Sequence, residues 1–196
     1  MTPANQITPL DALQQLIEGN HRFAAGTPAH PNQDAPTRQR LVQGQSPFAV
    51  ILGCADSRIS PEILFDQGLG DLFVVRAAGS PACDLAQWSI EYAVEHLGVP
   101  LLVVLGHSGC GALTATVETI HADQPASGLL ALLEPAVREA QTQTGDLLEN
   151  AITCGARLAA RQLSQSGPII PAAIQADKLV VRAAVYHQSS GLVEWL

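Results

Sequence analysis

A chain of 196 residues, of which 47% are apolar and 14% are charged, has the length and composition of one globular domain with its own core. The formal net charge of −8 excludes a basic surface, so we expect the protein to bind neither nucleic acid nor an acidic membrane. No apolar stretch approaches the roughly 20 residues of a membrane-spanning helix, and the start lacks the basic and apolar segments of a secretory signal. We therefore expect a cytoplasmic protein.

The first predicted element is a helix that begins after Thr8 and ends before Gly26. Thr8 is a preferred N-cap residue, and Pro9 suits the first helical position. The apolar face of this helix can pack on the protein's own sheet or reach out to a partner subunit, and the sequence leaves both open. The polar stretch over residues 27–36 predicts a loop. We therefore divide the single domain into a helical arm and loop over 1–36 and an α/β core over 45–196.

The core begins with short aliphatic runs that alternate with helical patterns. The runs Phe48–Leu52, Leu72–Arg76 and Leu101–Leu105 predict buried strands, and helices are predicted at 61–66, 84–97, 110–121, 129–142 and 146–165. This alternation favours βαβ units and a parallel sheet. Residues 178–186 and 192–195 flank a Ser-Ser-Gly turn and predict a hairpin. The predicted fold class is α/β: a mostly parallel central β-sheet flanked by helices, with an extended N-terminal helix and a C-terminal β-hairpin at the sheet edge.

Two of the predicted strands end in polar motifs that contain cysteine and histidine. Because ligands bind beyond the carboxyl ends of strands in open parallel sheets, Cys54, His107 and Cys110 can meet at one point. Thiolate sulfur and imidazole nitrogen bind zinc, and catalytic zinc sites combine three protein ligands with an open position. A structural zinc site would show four closely spaced ligands, which this sequence lacks. On spacing alone, a metal site and cysteines that merely pack in the core are equally compatible.

Asp56 and Arg58 follow the first of these cysteines at alternate positions, so all three side chains can turn to one side of an extended segment. An aspartate paired with arginine stays ionised and can accept a hydrogen bond from a metal-bound water. The same pair can also serve only as a salt bridge that holds a loop.

The motif Cys-Ala-Asp-Ser-Arg, followed about fifty residues later by His-Ser-Gly-Cys-Gly, resembles the β-class carbonic anhydrases. The resemblance runs from about Leu10 to the C-terminus and is densest between Gln45 and Ala112. It implies that the zinc ligands are Cys54, His107 and Cys110, with Asp56 and Arg58 as the catalytic pair beside the metal.

The activity implied by this resemblance is zinc-dependent reversible hydration of carbon dioxide to bicarbonate and a proton, through zinc-bound hydroxide. Asp56 would orient the hydroxide, and in a closed state at lower pH it would become the fourth zinc ligand. Members with a separate regulatory bicarbonate pocket carry Trp three residues before the first Cys. Ile51 stands there in this chain, so we expect no such pocket.

The resemblance also assigns Gln45, Phe73 and Tyr92 to the substrate pocket, with the amide donating to bound anion and the two aromatic rings forming an apolar wall. Taken alone, Phe73 and Tyr92 would be ordinary core residues, since each lies in an apolar periodic segment. Members of the family are dimers or larger assemblies with pockets at subunit interfaces. The resemblance therefore implies a homodimer or homotetramer.

One loop departs from the family pattern. The family commonly has Arg-Asn-Ala-Gly-Asn after the second strand, whereas this chain has Arg-Ala-Ala-Gly-Ser at residues 76–80, so we expect altered loop geometry. Cys83 and Cys154 have no partner by spacing and are predicted to be buried small apolar residues. His30 and His121 belong to the residue type that most often shuttles protons, but the sequence places neither near the zinc.

Two other functions remain open at this stage. A zinc hydrolase of a CO2-like sulfur compound, carbonyl sulfide or carbon disulfide, would use the same ligands on the same scaffold. A catalytically silent zinc-binding assembly protein is the other alternative. The complete ligand set with its Asp–Arg pair argues against a silent protein, because a structural site has no use for an open position.

Overall fold

The computed structural model describes residues 7–196, so residues 1–6 of the predicted arm lie outside the described part. The elements in chain order are α1 (Pro9–Ala24), α2 (Ala35–Leu41), β1 (Ala49–Gly53), α3 (Pro61–Leu64), β2 (Leu72–Arg76), α4 (Asp84–Leu97), β3 (Leu101–His107), α5 (Gly111–His121), α6 (Leu129–Ala140), α7 (Leu147–Gln165), α8 (Ile169–Gln175), β4 (Val180–Tyr186) and β5 (Val193–Trp195). Among residues 7–196, the helices are all too short or too polar to cross a membrane.

The five strands form one sheet in the order β2-β1-β3-β4-β5. Strands β1 to β4 are parallel, and β5 pairs antiparallel with β4 as the predicted hairpin. Gly53 at the end of β1 lies opposite Leu105 near the end of β3. The carboxyl ends of the two central strands are therefore neighbours, and the predicted fold class is confirmed.

Alternate residues of the central strands face opposite sides of the sheet, and both sides are apolar. One side packs with α4, α7 and α8, and the other packs with α1 and α3. A third apolar cluster, built from α5, α6 and α7, lies beyond the carboxyl ends of the strands and includes Cys54 and Cys110. Apolar side chains of three helices therefore pack against the edge of the sheet that carries the predicted site.

The N-terminal helix forms where its capping residues predict it. The Thr8 side chain accepts a hydrogen bond from the Asp11 amide at 3.1 Å, and Pro9 is the first helical residue. Ala12 and Leu16 are fully buried against the sheet. Helix α1 therefore packs on the chain's own sheet, as one of the two alternatives predicts.

The sequence pattern predicts neither α2 nor α8, and α2 begins inside the predicted loop. The Asp34 side chain caps α2 by accepting a hydrogen bond from the Thr37 amide at 2.9 Å. This seven-residue helix buries only Thr37, so it has no apolar periodicity to detect. In α8, Pro168 is the N-cap residue and Pro171 lies within the helix, and prolines normally indicate a helix boundary.

The prediction of β2 as a buried strand is wrong for the single chain. Residues 72–75 are half-buried and Arg76 is exposed. The reason is topological, because β2 is an outermost strand of the sheet and its aliphatic side chains are covered from fewer directions.

Candidate metal centre

The ends of β1 and β3 bring three potential metal ligands together. Cys54 directly follows β1, His107 is the last residue of β3, and Cys110 is the N-cap residue of α5. Gly109 has φ +63°, a left-handed conformation that suits glycine and turns the chain between the last two ligands. The two sulfur atoms and an imidazole nitrogen lie within 4.8 Å of one another. The predicted ligand set is therefore a spatial cluster.

The two ring nitrogens of His107 differ in their hydrogen bonding. Its Nδ1 lies 3.0 Å from the Ser108 carbonyl oxygen. A carbonyl oxygen can only accept, so Nδ1 carries the proton and Nε2 keeps its lone pair. Within residues 7–196, Nε2 is the one buried side-chain nitrogen or oxygen without a hydrogen-bond partner. A buried polar atom without a partner is costly, and an ion bound by Nε2 would remove that cost.

The two cysteines of the cluster differ in their pKa values. The hydrogen bond from the Cys110 thiol lowers the pKa of Cys54 to about 4, against the effect of burial. The backbone amides of Gly79 and Asp56 lower the pKa of Cys54 further, with the amide nitrogens 3.3 Å and 3.4 Å from its sulfur. The same thiol–thiolate hydrogen bond and burial raise the pKa of Cys110. In the metal-free site, the two sulfurs therefore share one proton.

This donor set fits zinc. Zinc accepts thiolate sulfur and neutral imidazole nitrogen in tetrahedral geometry, and three protein ligands leave one position open. Binding would displace the proton shared by Cys54 and Cys110, as metal binding to thiols generally does.

Asp56 and Arg58 form the bidentate pair suggested by their spacing. The guanidinium donates from Nε to Oδ1 at 2.9 Å and from Nη2 to Oδ2 at 2.7 Å, and the Arg58 amide also donates to Oδ1 at 2.9 Å. These bonds hold the pKa of the Asp56 carboxyl well below its usual range. Arg58 Nη2 also donates to the Gly109 carbonyl oxygen at 3.2 Å, so it links the two motifs. In this conformation, the Asp56 carboxylate is bound to Arg58.

Arg76 is a site residue that sequence reasoning did not assign. Its guanidinium donates from Nε to the Cys54 carbonyl oxygen at 2.9 Å and from Nη2 to the Asp56 carbonyl oxygen at 2.6 Å. It therefore holds the backbone on both sides of Ala55. A signal was available, because a charged residue ends β2 at the same sheet edge as Cys54.

The loop after β2 is held by backbone hydrogen bonds and by the Ser80 side chain. Ala77 exchanges backbone hydrogen bonds with the Gly53–Ala55 segment at 3.1 and 3.3 Å. Ser80 is buried and donates its hydroxyl to the Leu105 carbonyl oxygen at 3.2 Å. Gly79 has φ +76°, and a Cβ there would lie 2.6 Å from a Leu133 methyl group. Backbone bonds and Ser80 therefore fix this loop against the end of β3.

The three residues assigned to the substrate pocket lie elsewhere in the single chain. Gln45 is exposed and precedes β1, at the end of that strand opposite to Cys54. Phe73 in β2 and Tyr92 in α4 lie together, with ring centroids 6.3 Å apart. Phe73 pairs in register with Val50, near the start of β1, and strands rise about 3.3 Å per residue. The aromatic pair therefore lies roughly 10 Å or more along the strands from the ligand cluster.

The remaining predicted residues lie outside the cluster. His30 and His121 are exposed, and His121 ends α5, the full helix length away from Cys110. Cys154 is buried as predicted. The prediction for Cys83 is wrong, since Cys83 is only partly buried at the N-cap of α4. A cap position lies at the helix surface, which explains its exposure.

Comparison with known proteins agrees with the geometry. A sequence model of the family described as Carbonic anhydrase matches residues 49–193. Carbonic anhydrase 2 of Mycobacterium tuberculosis is 56% identical over 113 residues, which cover 58% of this chain and 55% of that protein. The carbonic anhydrase of Pseudomonas aeruginosa is 32% identical over 202 residues, with 94% of this chain and 87% of that protein covered. The structure of the β-carbonic anhydrase CcaA aligns with a TM-score of 0.73 at 26% identity, covering 93% of this chain and 94% of that chain.

The chain thus spans about half the length of the mycobacterial relative that it matches, and most of the length of the Pseudomonas relative. The family match runs from the first residue of β1 to the first residue of β5. It therefore includes the parallel sheet and the whole ligand cluster, and this chain belongs to the β-class carbonic anhydrase family.

Proposed function

We propose that this protein binds zinc through Cys54, His107 and Cys110 and catalyses the reversible hydration of carbon dioxide to bicarbonate and a proton. The observation that carries the proposal is the unpartnered His107 Nε2, buried beside two thiol sulfurs. A zinc ion bound there would act as a Lewis acid and make water nucleophilic near neutral pH. Family membership supports the same activity.

Asp56 serves in this proposal as the fixed hydrogen-bond acceptor beside the metal. Because Arg58 keeps it ionised, the carboxylate can accept a hydrogen bond from the reacting water but cannot take up its proton near neutral pH. It therefore orients the water, and the released proton leaves to solvent. A carboxylate held by two guanidinium bonds also stays away from the metal, which keeps the fourth position open.

The substrate pocket is proposed to need a second copy of the chain. Gln45, Phe73 and Tyr92 are distant from the chain's own ligand cluster, so they can line a pocket only when another copy brings its cluster to them. A homodimer in which each copy completes the other's pocket would satisfy this requirement.

An apolar surface beside these residues supports that assembly. Leu85, Trp88 and Tyr92 lie on one face of α4 and are 72%, 62% and 49% exposed. We call them the α4 stripe. The stripe lies beside β2, the half-buried edge strand, and Tyr92 contacts Phe73 within it. Contiguous exposed apolar surface of this kind commonly marks a protein–protein contact.

The test is stopped-flow carbon dioxide hydration by the purified chain, with zinc measured on the same sample, from about pH 6 to about pH 9. We expect one zinc ion per chain and activity that rises towards alkaline pH. Zinc-loaded protein without hydration at any pH would contradict the proposal. Turnover of carbonyl sulfide or carbon disulfide by that sample would then identify the sulfur hydrolase, and no turnover of either would indicate the silent protein.

A further inference from the structure

The turn after β4 holds the peptide group that follows His107. The Ser108 amide donates to the Tyr186 carbonyl oxygen at 2.9 Å, and the Gln188 amide donates to Ser108 Oγ at 3.0 Å. The Gln188 side chain adds a third bond, from Nε2 to the Ser108 carbonyl oxygen at 2.6 Å. Gln188 is half-buried and lies 80 residues from Ser108 in the sequence. The last residue of β4 and the turn after it therefore hold Ser108 through three separate hydrogen bonds.

The Ser108 carbonyl is also the acceptor for the His107 ring. A carbonyl oxygen has two lone pairs, so it can accept from Gln188 Nε2 and from His107 Nδ1 together. Gln188 Nε2 also approaches Nδ1 to 3.2 Å. With the proton on Nδ1, that approach is not a hydrogen bond, because both nitrogens are donors. The Gln188 side-chain amide therefore donates to the Ser108 carbonyl oxygen, which is its shorter contact.

We infer that Gln188 is a positioning residue for His107. It holds the Ser108 carbonyl where that oxygen accepts from Nδ1, which fixes both the orientation of the ring and the tautomer that leaves Nε2 free for a metal. Gln188 acts through Ser108 and does not touch the metal or the substrate. The inference rests on the proposed zinc site. Groups that orient metal-binding histidines typically change metal affinity by about 10- to 100-fold.

The test compares Gln188→Leu, which keeps most of the side-chain volume but removes the amide, with Ser189→Ala in the same turn. Ser189 is exposed and serves as the control. Zinc affinity of each purified full chain is measured by competition with a chromophoric chelator. We expect affinity about tenfold weaker for Gln188→Leu and unchanged for Ser189→Ala. Gln188→Asn, whose amide is one methylene too short to reach Ser108, should behave like Gln188→Leu.

A second measurement separates positioning from general stability. Nitrogen-15 NMR of the histidine rings in the zinc-loaded protein reports which His107 nitrogen is protonated and how fast that proton exchanges. We expect a slowly exchanging Nδ1 proton in the wild type and faster exchange in Gln188→Leu. Unchanged affinity and ring signals would overturn the inference, even if the unfolding temperature of the metal-free variant fell. A wild type that binds no zinc would instead overturn the proposed function.

Discussion

The two ends of strand β1 differ in how many of the proposed functional groups one chain brings together there. At the carboxyl end, one chain supplies three ligands, the Asp56–Arg58 pair, and the groups that hold them. At the amino end, Gln45 is exposed, and the aromatic pair includes Tyr92 of the exposed α4 stripe. The cluster of Cys54, His107 and Cys110 is therefore built by the fold of a single chain, whereas substrate recognition is proposed to need two. Metal binding and catalysis should then respond differently to the same substitution.

The largest effect is expected from Cys110→Ala. It removes a sulfur from the ligand cluster, so both zinc binding and carbon dioxide hydration should be lost. Cys154→Ala is the matched control, because both cysteines are 2% exposed and belong to the same apolar cluster. Zinc analysis after dialysis and circular dichroism would check the result. Full zinc content in folded Cys110→Ala would show that the cluster is not the metal centre.

Asp56→Asn should separate metal binding from turnover at the carboxyl end of β1. The amide keeps the size of the carboxylate but loses its charge and its strong pairing with Arg58. We expect zinc content to be unchanged and kcat to fall by about 100-fold, because the reacting water loses its orientation. The pKa of Asp56 is already far below neutral, so the alkaline rise in wild-type activity should not come from this group. Wild-type turnover by Asp56→Asn would show that the pair merely holds the loop.

Trp88→Glu tests the proposed subunit interface near the amino end of β1. Trp88 is 62% exposed, so the change should leave the fold intact while it places a charge in the α4 stripe. We expect the assembly to dissociate at dilution, with activity falling in parallel and zinc content unchanged. Sedimentation velocity across protein concentrations would follow the assembly.

Leu132→Glu is the control for Trp88→Glu. Leu132 is 53% exposed and lies on α6, outside the α4 stripe, so its substitution should leave assembly and activity unchanged. An assembled, active Trp88→Glu protein would contradict the proposed interface. A monomer with full activity would show that one chain suffices for the substrate pocket.

The ligand cluster could be predicted because its signals are local. Cys54 and His107 each stand where an aliphatic run ends, and the topology of a parallel sheet brings such ends together. The pairing of Asp56 with Arg58 was also predictable, since only Ser57 separates them. These features depend on strand periodicity and short spacing, which a single sequence displays directly.

The groups that hold the cluster could not be predicted in the same way. Arg76 donates to backbone carbonyl oxygens that lie 20 and 22 residues away in the sequence. Gln188 donates to one that lies 80 residues away. Any carbonyl can accept such a bond, so the sequence carries no sign of which one is used. The edge position of β2 could not be predicted for a related reason. Aliphatic residues indicate that a strand is buried, but they do not indicate whether the residues that bury it belong to the same chain.

The smallest effect is expected from Asp66→Asn, in the segment between α3 and β2. Asp66 is buried and accepts hydrogen bonds from Arg22 at 2.6 Å and from the Ala29 and His30 amides at 2.9 Å. Asparagine tolerates the left-handed φ of +46° at this position, so the change mainly removes the charge. We expect a loss of about 2 kcal/mol in the free energy of unfolding, measured with urea on the metal-free protein.

Asp177→Asn is the control for this substitution. Asp177 also has a left-handed φ, of +55°, but is exposed. Its replacement should change the free energy of unfolding by less than about 0.5 kcal/mol. An equal loss in both variants would assign the effect to the backbone conformation and not to the buried carboxylate.

The pH dependence of the Asp66 effect follows from linkage. Burial alone would raise the pKa of Asp66, but the bonds from Ala29, Arg22 and His30 outweigh it and lower the pKa. A lowered folded-state pKa stabilises the protein above the ordinary carboxyl pKa of about 4, and this contribution is lost as pH falls through the folded value. The difference between wild type and Asp66→Asn should therefore be constant from neutral pH to about pH 5 and shrink below about pH 4. An undiminished difference at about pH 3 would mean that shape, not charge, makes Asp66 stabilising.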